Sequence, residues 1–263
     1  NGSMQIPNNG SSMISLIATL TIAYIAICFL LFIFQRQMIY FPTSEMSVPS
    51  VAHTVLDTGE VRIKVWILNP GKEKALIYFG GNAENVVYNI DDFRTLFSDR
   101  TVYLVNYRGY GGSSGSPHEE GFYSDALFVY DHFLKEHTEL SVMGRSIGGA
   151  VATYLTSKRN VEKLILVTPF DSAVNVGKKL YWLFPMELIL RERLDSAGRA
   201  AKITTDTLVI VAGNDRIIPY DNTHNLVQAF IKTQVEVAIL SDRGHNTVHM
   251  HPDYRKTIAA FMK

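Results

Sequence analysis

The sequence holds a single cysteine, Cys28, among 263 residues. That excludes an intramolecular disulfide and any cysteine-based metal cluster, and a lone thiol leaves the redox compartment open. Neither sign of charge is in surplus, since 25 Lys and Arg face 25 Asp and Glu. No basic patch with interleaved aromatics occurs, which argues against nucleic acid as a partner. Internal repeats and low-complexity tracts are also missing.

The most informative absence is local. Residues 13–34, MISLIATLTIAYIAICFLLFIF, contain no charged side chain over a length that crosses the hydrocarbon core as a helix. Tyr40 and Phe41, just beyond Arg36, suit an interfacial anchor. A cleaved signal peptide needs a positive n-region, a shorter apolar core and small residues at the cut. Here Lys and Arg are missing before Met13, and Gln35-Arg36-Gln37 offers no such site. The expected organisation is a tail over residues 1–12, a single-pass anchor at 13–36 and a catalytic domain from residue 37 onward. Asn1-Gly2-Ser3 ahead of Met4 reads as an appended stub, and its sequon carries no weight. Arg36, on the catalytic side, places that domain in the cytoplasm by the positive-inside rule.

What remains is rich in apolar residues, 47% of the chain, and can bury a large core. Short β-like runs alternate with longer helical ones, which predicts an α/β fold with a mostly parallel sheet flanked by helices. Residues 53–57 and 61–68 flank Thr58-Gly59-Glu60 as a hairpin. Further strands are expected at 75–79, 101–107, 140–144, 163–168, 207–213 and 235–240. Their uninterrupted Val/Ile/Leu runs predict burial on both faces. Helices are expected at 85–97, 119–136, 149–157, 220–231 and 253–262. Residues 170–203 break the alternation with KKLYWLFPMELILRERL, read as a helical cap. Pro185 divides it into two short helices.

Gly144-x-Ser146-x-Gly148, in SVMGRSIGGA, lies between an apolar run and a helix-like one. That is the strand, turn and helix context of a nucleophile elbow, whose turn is too tight for side chains at the glycines. A serine hydroxyl needs a histidine to take its proton, and the histidine needs a carboxylate to fix its tautomer. Asp215 in LVIVAGNDRIIP and His245 in VAILSDRGHNTVH follow later strands in the order such sites require. Asp171 and Asp242 are rival acids, the first a candidate helix cap and the second part of the turn presenting His245. His249 and His251 are rival bases, and the spacing of these histidines lacks the helical Glu-bearing pattern of a metal site. The oxyanion amides are assigned to Ile147, after the serine, and Asn82 in YFGGNAEN, a loop without the Lys and Ser/Thr of a P-loop.

The marks FGGNAENV, NYRGYGGSSGSPHEEG, GRSIGGAVA, AGNDRIIP and GHN together resemble the membrane-anchored serine hydrolases of the α/β-hydrolase-domain family, which includes protein depalmitoylases. The resemblance covers residue 40 to the C-terminus. It implies an α/β-hydrolase fold and the Ser146, Asp215 and His245 triad. Gly80 stands where the family usually has His, and Arg108 and Tyr110 fall in a segment beside the active site, as scaffold. The expected activity is hydrolysis of esters or thioesters through an acyl-enzyme on Ser146, with no metal or organic cofactor. Its substrate would be a lipid or acylated protein, reached at a membrane. A short-chain carboxylesterase, an amidase or peptidase with the same triad, and a non-catalytic tethered binding protein are the alternatives.

Overall fold

A computed structural model of the chain describes residues 9–263, with side chains from residue 12. The expected appended stub and most of the tail lie outside the described residues. The apolar run forms helix α1, Asn9–Ile39. Its Ser12–Ile39 portion is long and apolar enough to cross a membrane by length and composition.

Beyond α1 lies an eight-stranded sheet with helices on both faces. The strands are β1 Ala52–Asp57, β2 Arg62–Leu68, β3 Lys74–Phe79, β4 Thr101–Val105, β5 Glu139–Arg145, β6 Lys163–Val167, β7 Asp206–Ala212 and β8 Val235–Leu240. The order across the sheet is β1-β2-β4-β3-β5-β6-β7-β8. β1 and β2 form the antiparallel hairpin, β2 runs antiparallel to β4, and the rest are parallel. Central strands carry unbroken apolar runs because both faces are covered: Leu76, Ile77, Val142, Met143, Leu164 and Ile165 are fully buried. β8 departs from that expectation, for Val237 and Ile239 are exposed. It is an edge strand, partnered by β7 alone among the described strands.

The remaining helices are α2 Ile90–Leu96, α3 Glu119–Phe133, α4 Ile147–Thr156, α5 Ala173–Leu180, α6 Met186–Ile189, α7 Ala197–Ala200, α8 Tyr220–Ala229 and α9 Tyr254–Phe261. The segment expected as one helix over 85–97 is split, with a 3₁₀ turn at Val86–Asn89 before α2. Asn85 caps the turn by accepting from the Val87 N–H, which starts the chain in the tighter geometry. In the cap, α5 and α6 lie on either side of Pro185, whose ring and missing N–H prevent one continuous helix. α1 lies alongside this cap. Its Cys28, Leu31, Phe32 and Ile39 pack against the cluster of Val174, Met186, Ile189 and Leu190.

Candidate active site

The sheet's strand order reverses between β3 and β5, neighbours in space with Phe79 opposite Gly144. Such reversals leave a crevice at the carboxyl ends of the strands, where α/β proteins bind ligands. The loop after β3 and the turn after β5 therefore meet there, and the loops after β7 and β8 close the same edge.

Ser146 follows β5 directly and precedes α4 with φ 53° and ψ −116°, a conformation that L-residues rarely adopt. Two glycines make this possible. A Cβ on Gly144 would overlap the Gly148 carbonyl, and a Cβ on Gly148 would overlap the Phe79 carbonyl. Hydrogen bonds from the Ser146 N–H to the Val167 carbonyl and from the Gly149 N–H to the Ser146 carbonyl, each 2.9 Å, hold the turn. Ile147 is the first residue of α4, so its N–H has no intrahelical acceptor.

His245, 6% exposed, places Nδ1 at 2.7 Å from Asp215 Oδ2. The other oxygen, Oδ1, accepts from the Ile217 and Ile218 amides at 2.9 and 2.8 Å. One carboxylate oxygen thus fixes the loop while the other is left for the imidazole. With the proton on Nδ1, Nε2 is the basic nitrogen. The rival acids have other partners. Asp171 accepts from Ser172 N–H and from the amides of Asn175, Asn222 and Asn225. Asp242 sits in the turn with φ 60°. His251 Nδ1 accepts from the Asp253 N–H. Burial, followed by the charge of Arg145, holds the His249 imidazole below its ordinary range.

In the loop after β3, Gly81 N–H already donates to Glu84 Oε2 at 2.7 Å, and Ala83 N–H to Asn82 Oδ1. Asn82 lines the cavity, and its N–H has no hydrogen-bond acceptor among the described residues. Its side chain is engaged elsewhere, for Oδ1 accepts from the Phe41 N–H and the Tyr110 hydroxyl, and Nδ2 donates to the Ile39 carbonyl. The end of α1 is thereby tied to this loop. Ser146, Ile147, Asn82 and His245 all line one cavity of about 380 Å³, whose other walls are largely apolar.

A family model described as the alpha/beta hydrolase fold matches residues 74–194. An uncharacterized protein of Mycobacterium tuberculosis is 31% identical over 229 residues, covering 81% of this chain and 80% of its own. The chain belongs to the α/β-hydrolase family. An uncharacterized membrane protein of Saccharomyces cerevisiae is 27% identical over 231 residues, covering 82% of this chain and 80% of its own. The solved esterase of Pyrococcus furiosus superposes with a TM-score of 0.67 at 14% identity, over 85% of this chain and 97% of that one; this likeness is one of fold.

The structure also shows what motif reading of this α/β-hydrolase-family chain passed over. Arg145, the variable residue before the serine, donates from Nη1 to Glu84 Oε2 at 2.8 Å, and from Nη2 to the His245 carbonyl at 3.3 Å and Asn246 Oδ1 at 3.1 Å. It joins the loops after β3 and β8 next to Ser146 and lines the cavity with it. Burial alone would raise the Glu84 carboxyl, but the Arg145 charge, the Gly81 amide, the Tyr78 hydroxyl and Asn89 outweigh it and hold it below the ordinary range. A charged residue inside so glycine-rich and apolar a stretch was the one available signal. Arg108, by contrast, forms a two-pronged pair with Asp125, both bonds 2.8 Å, away from the cavity.

Proposed function

We propose that this chain is a membrane-anchored serine hydrolase that cleaves carboxylic ester or thioester bonds through an acyl-enzyme on Ser146. The observation that carries the proposal is the conjunction in one cavity of Ser146 at positive φ and a histidine whose Nδ1 meets Asp215. In this reading His245 takes the Ser146 proton as Oγ attacks the substrate carbonyl carbon. The amides of Asn82 and Ile147 hold the oxygen that becomes negative. His245 then returns the proton to the departing alcohol or thiol, leaving an acyl-Ser146. A water deprotonated by His245 attacks the acyl carbonyl, and collapse releases the carboxylic acid and restores the serine. Asp215 stabilises the imidazolium in both halves.

The apolar cavity wall, from Phe170, Val176, Leu180 and Met186, favours an acyl chain over a polar acid, so the proposed substrate is a lipid or an acylated protein. The anchor is α1, and the catalytic domain is proposed to face the cytoplasm on the strength of Arg36 at its catalytic end. Arg36 is paired with the buried Glu192 at 2.7 Å, and the cap brings Arg191 to the same level of the helix, over the Phe32 ring.

The test is turnover of p-nitrophenyl esters and acyl thioesters, from short to long chains, by detergent-solubilised protein. Ser146→Ala and His245→Ala should each lose on the order of 10⁴-fold or more in kcat, because such residues act as a unit, while their melting temperatures stay near the parent's. Variants as active as the parent would sink the assignment and bring forward a non-catalytic binding protein.

A further inference from the structure

The apolar run of α1 is only just long enough for its purpose, and half of it is not free. Residues 13–34 number 22, about 33 Å at a rise of about 1.5 Å per residue, against a hydrocarbon core of about 30 Å. From Tyr24 onward one side of the helix is occupied by the cap. The Tyr24 hydroxyl donates to the Leu183 carbonyl at 2.7 Å, and its ring stacks on Phe184. Cys28, Leu31 and Phe32 continue the contact. Gln35, 4% exposed, completes it by accepting from the Arg191 and Glu192 amides and donating to the Ile189 carbonyl. The part of the run clear of the cap, residues 13–23, is about 16 Å long, half of what a crossing needs. If α1 spans, the cap is carried into the leaflet with it.

The surface of that cap segment suits hydrocarbon. Trp182 is 77%, Leu183 60% and Leu188 80% exposed in the protein alone, an apolar patch beside an apolar helix and continuous with it. Backbone groups at membrane depth must be satisfied within the protein. Here the amides of Tyr181, Phe184, Met186 and Leu188 bond within the cap and Pro185 has none to satisfy, while the amides of Trp182 and Leu183 at the tip have no backbone acceptor among the described residues. Lys178 and Glu187 are paired at 2.5 Å, and Lys179 with Asp221 at 2.6 Å. Arg191 lies over the Phe32 ring, two residues from the end of the apolar run, at headgroup level.

We propose that residues 180–188 are inserted among the acyl chains of the leaflet on the catalytic side, and that the site takes the chain of a membrane-resident ester or thioester laterally from that leaflet. The second clause rests on the hydrolase reading above. The same segment walls the cavity: Leu180, Tyr181, Met186 and Leu190 line it from the cap, and Ile39 and Phe41 from the end of α1. Tyr24, near the middle of the run, places the tip about 15 Å below Phe34, deep enough for a chain lying along α1 to reach the cavity without leaving hydrocarbon.

Trp182 supplies the probe, since the only other tryptophan, Trp66, is 1% exposed in the core. The full chain would be reconstituted into phosphatidylcholine vesicles with plain or brominated acyl chains, and the Trp182 signal taken as parent minus Trp182→Phe. Insertion predicts loss of this signal with brominated chains and none with aqueous iodide. Quenching by iodide alone would overturn the proposal by putting the cap in water, and quenching by neither would overturn it in favour of a second copy covering the patch. For delivery, Trp182→Asp with Leu183→Asp, neither of which lines the cavity, should cut turnover of a long-chain ester dispersed in the vesicles at least tenfold, the equivalent of about 1.4 kcal/mol. Turnover of a water-soluble short-chain ester should stay within about twofold on this scale. Equal loss on both esters, or on neither, would overturn delivery. Bromolipid quenching in a protein that hydrolyses neither ester would sustain insertion and overturn the hydrolase reading instead.

Discussion

The loops above β3, β5 and β8 and the cap beside α1 wall one cavity by opposite means. The loops are held by backbone sterics and by charge. Gly144 and Gly148 permit a fit no side chain would allow, Ser146 and Ala83 sit at positive φ, and the Glu84–Arg145 pair joins the loops. The outer part of the cap lies on α1 through a stripe of apolar contacts and a small cluster of its own, tied at the edges by the Tyr24 hydroxyl, the Gln35 amide and the Arg36–Glu192 pair. Geometry that the proposed chemistry must hold to a fraction of an ångström is thus built from interactions with one solution, while a surface proposed to meet fluid chains is built from interactions with many.

Substitutions that exchange rigidity for adaptability test this contrast. The largest effect should come from Gly148→Ala, whose Cβ has to displace the backbone of β3; about 3 kcal/mol of stability should be lost along with activity. An unchanged unfolding midpoint would show that the elbow is softer than its contacts imply. Next is Glu84→Gln, which should cost about 2 kcal/mol by weakening charge-assisted bonds to Arg145 and Gly81. Because the Glu84 carboxyl is held lower in the folded than in the unfolded chain, its contribution is complete above the unfolded value of about 4.3 and is lost as pH falls through the folded one. Denaturant unfolding of parent and variant should therefore converge in acid, and a gap independent of pH would refute the ionic part of the account. The smallest is Gln35→Ala, about 1 kcal/mol, felt locally. Amide exchange in residues 180–193 should quicken while turnover of short esters holds. No change in exchange would mean that the apolar stripe alone seats the cap.

Local patterns in the chain announced much of the fold. Unbroken apolar runs marked β3 to β7, Pro185 divided the cap, and the spacing of Gly144, Ser146 and Gly148 marked the turn, because each rests on sterics within a few residues. The exposed face of β8 was not legible, since Val-Glu-Val-Ala-Ile-Leu reads alike at the edge and the centre of a sheet, and only its neighbours differ. Nor was the link from Arg145 to Glu84, 61 positions apart, or the Asn82 side chain's grip on Ile39 and Phe41, 43 and 41 positions away. The first is created by the strand order, which places the ends of β3 and β5 side by side, and the second by where the end of α1 meets the loop after β3.

By itself, then, the sequence determined the apolar helix, the alternation of strands and helices, and the presence of a serine on a glycine-bounded turn, each a property of short stretches and their period. The tertiary structure decided which carboxylate meets His245, which loops share one cavity, and that the cap packs against α1. Those outcomes depend on where distant segments come to rest. Burial and hydrogen-bond satisfaction across the whole molecule select that placement, and no single stretch contains it.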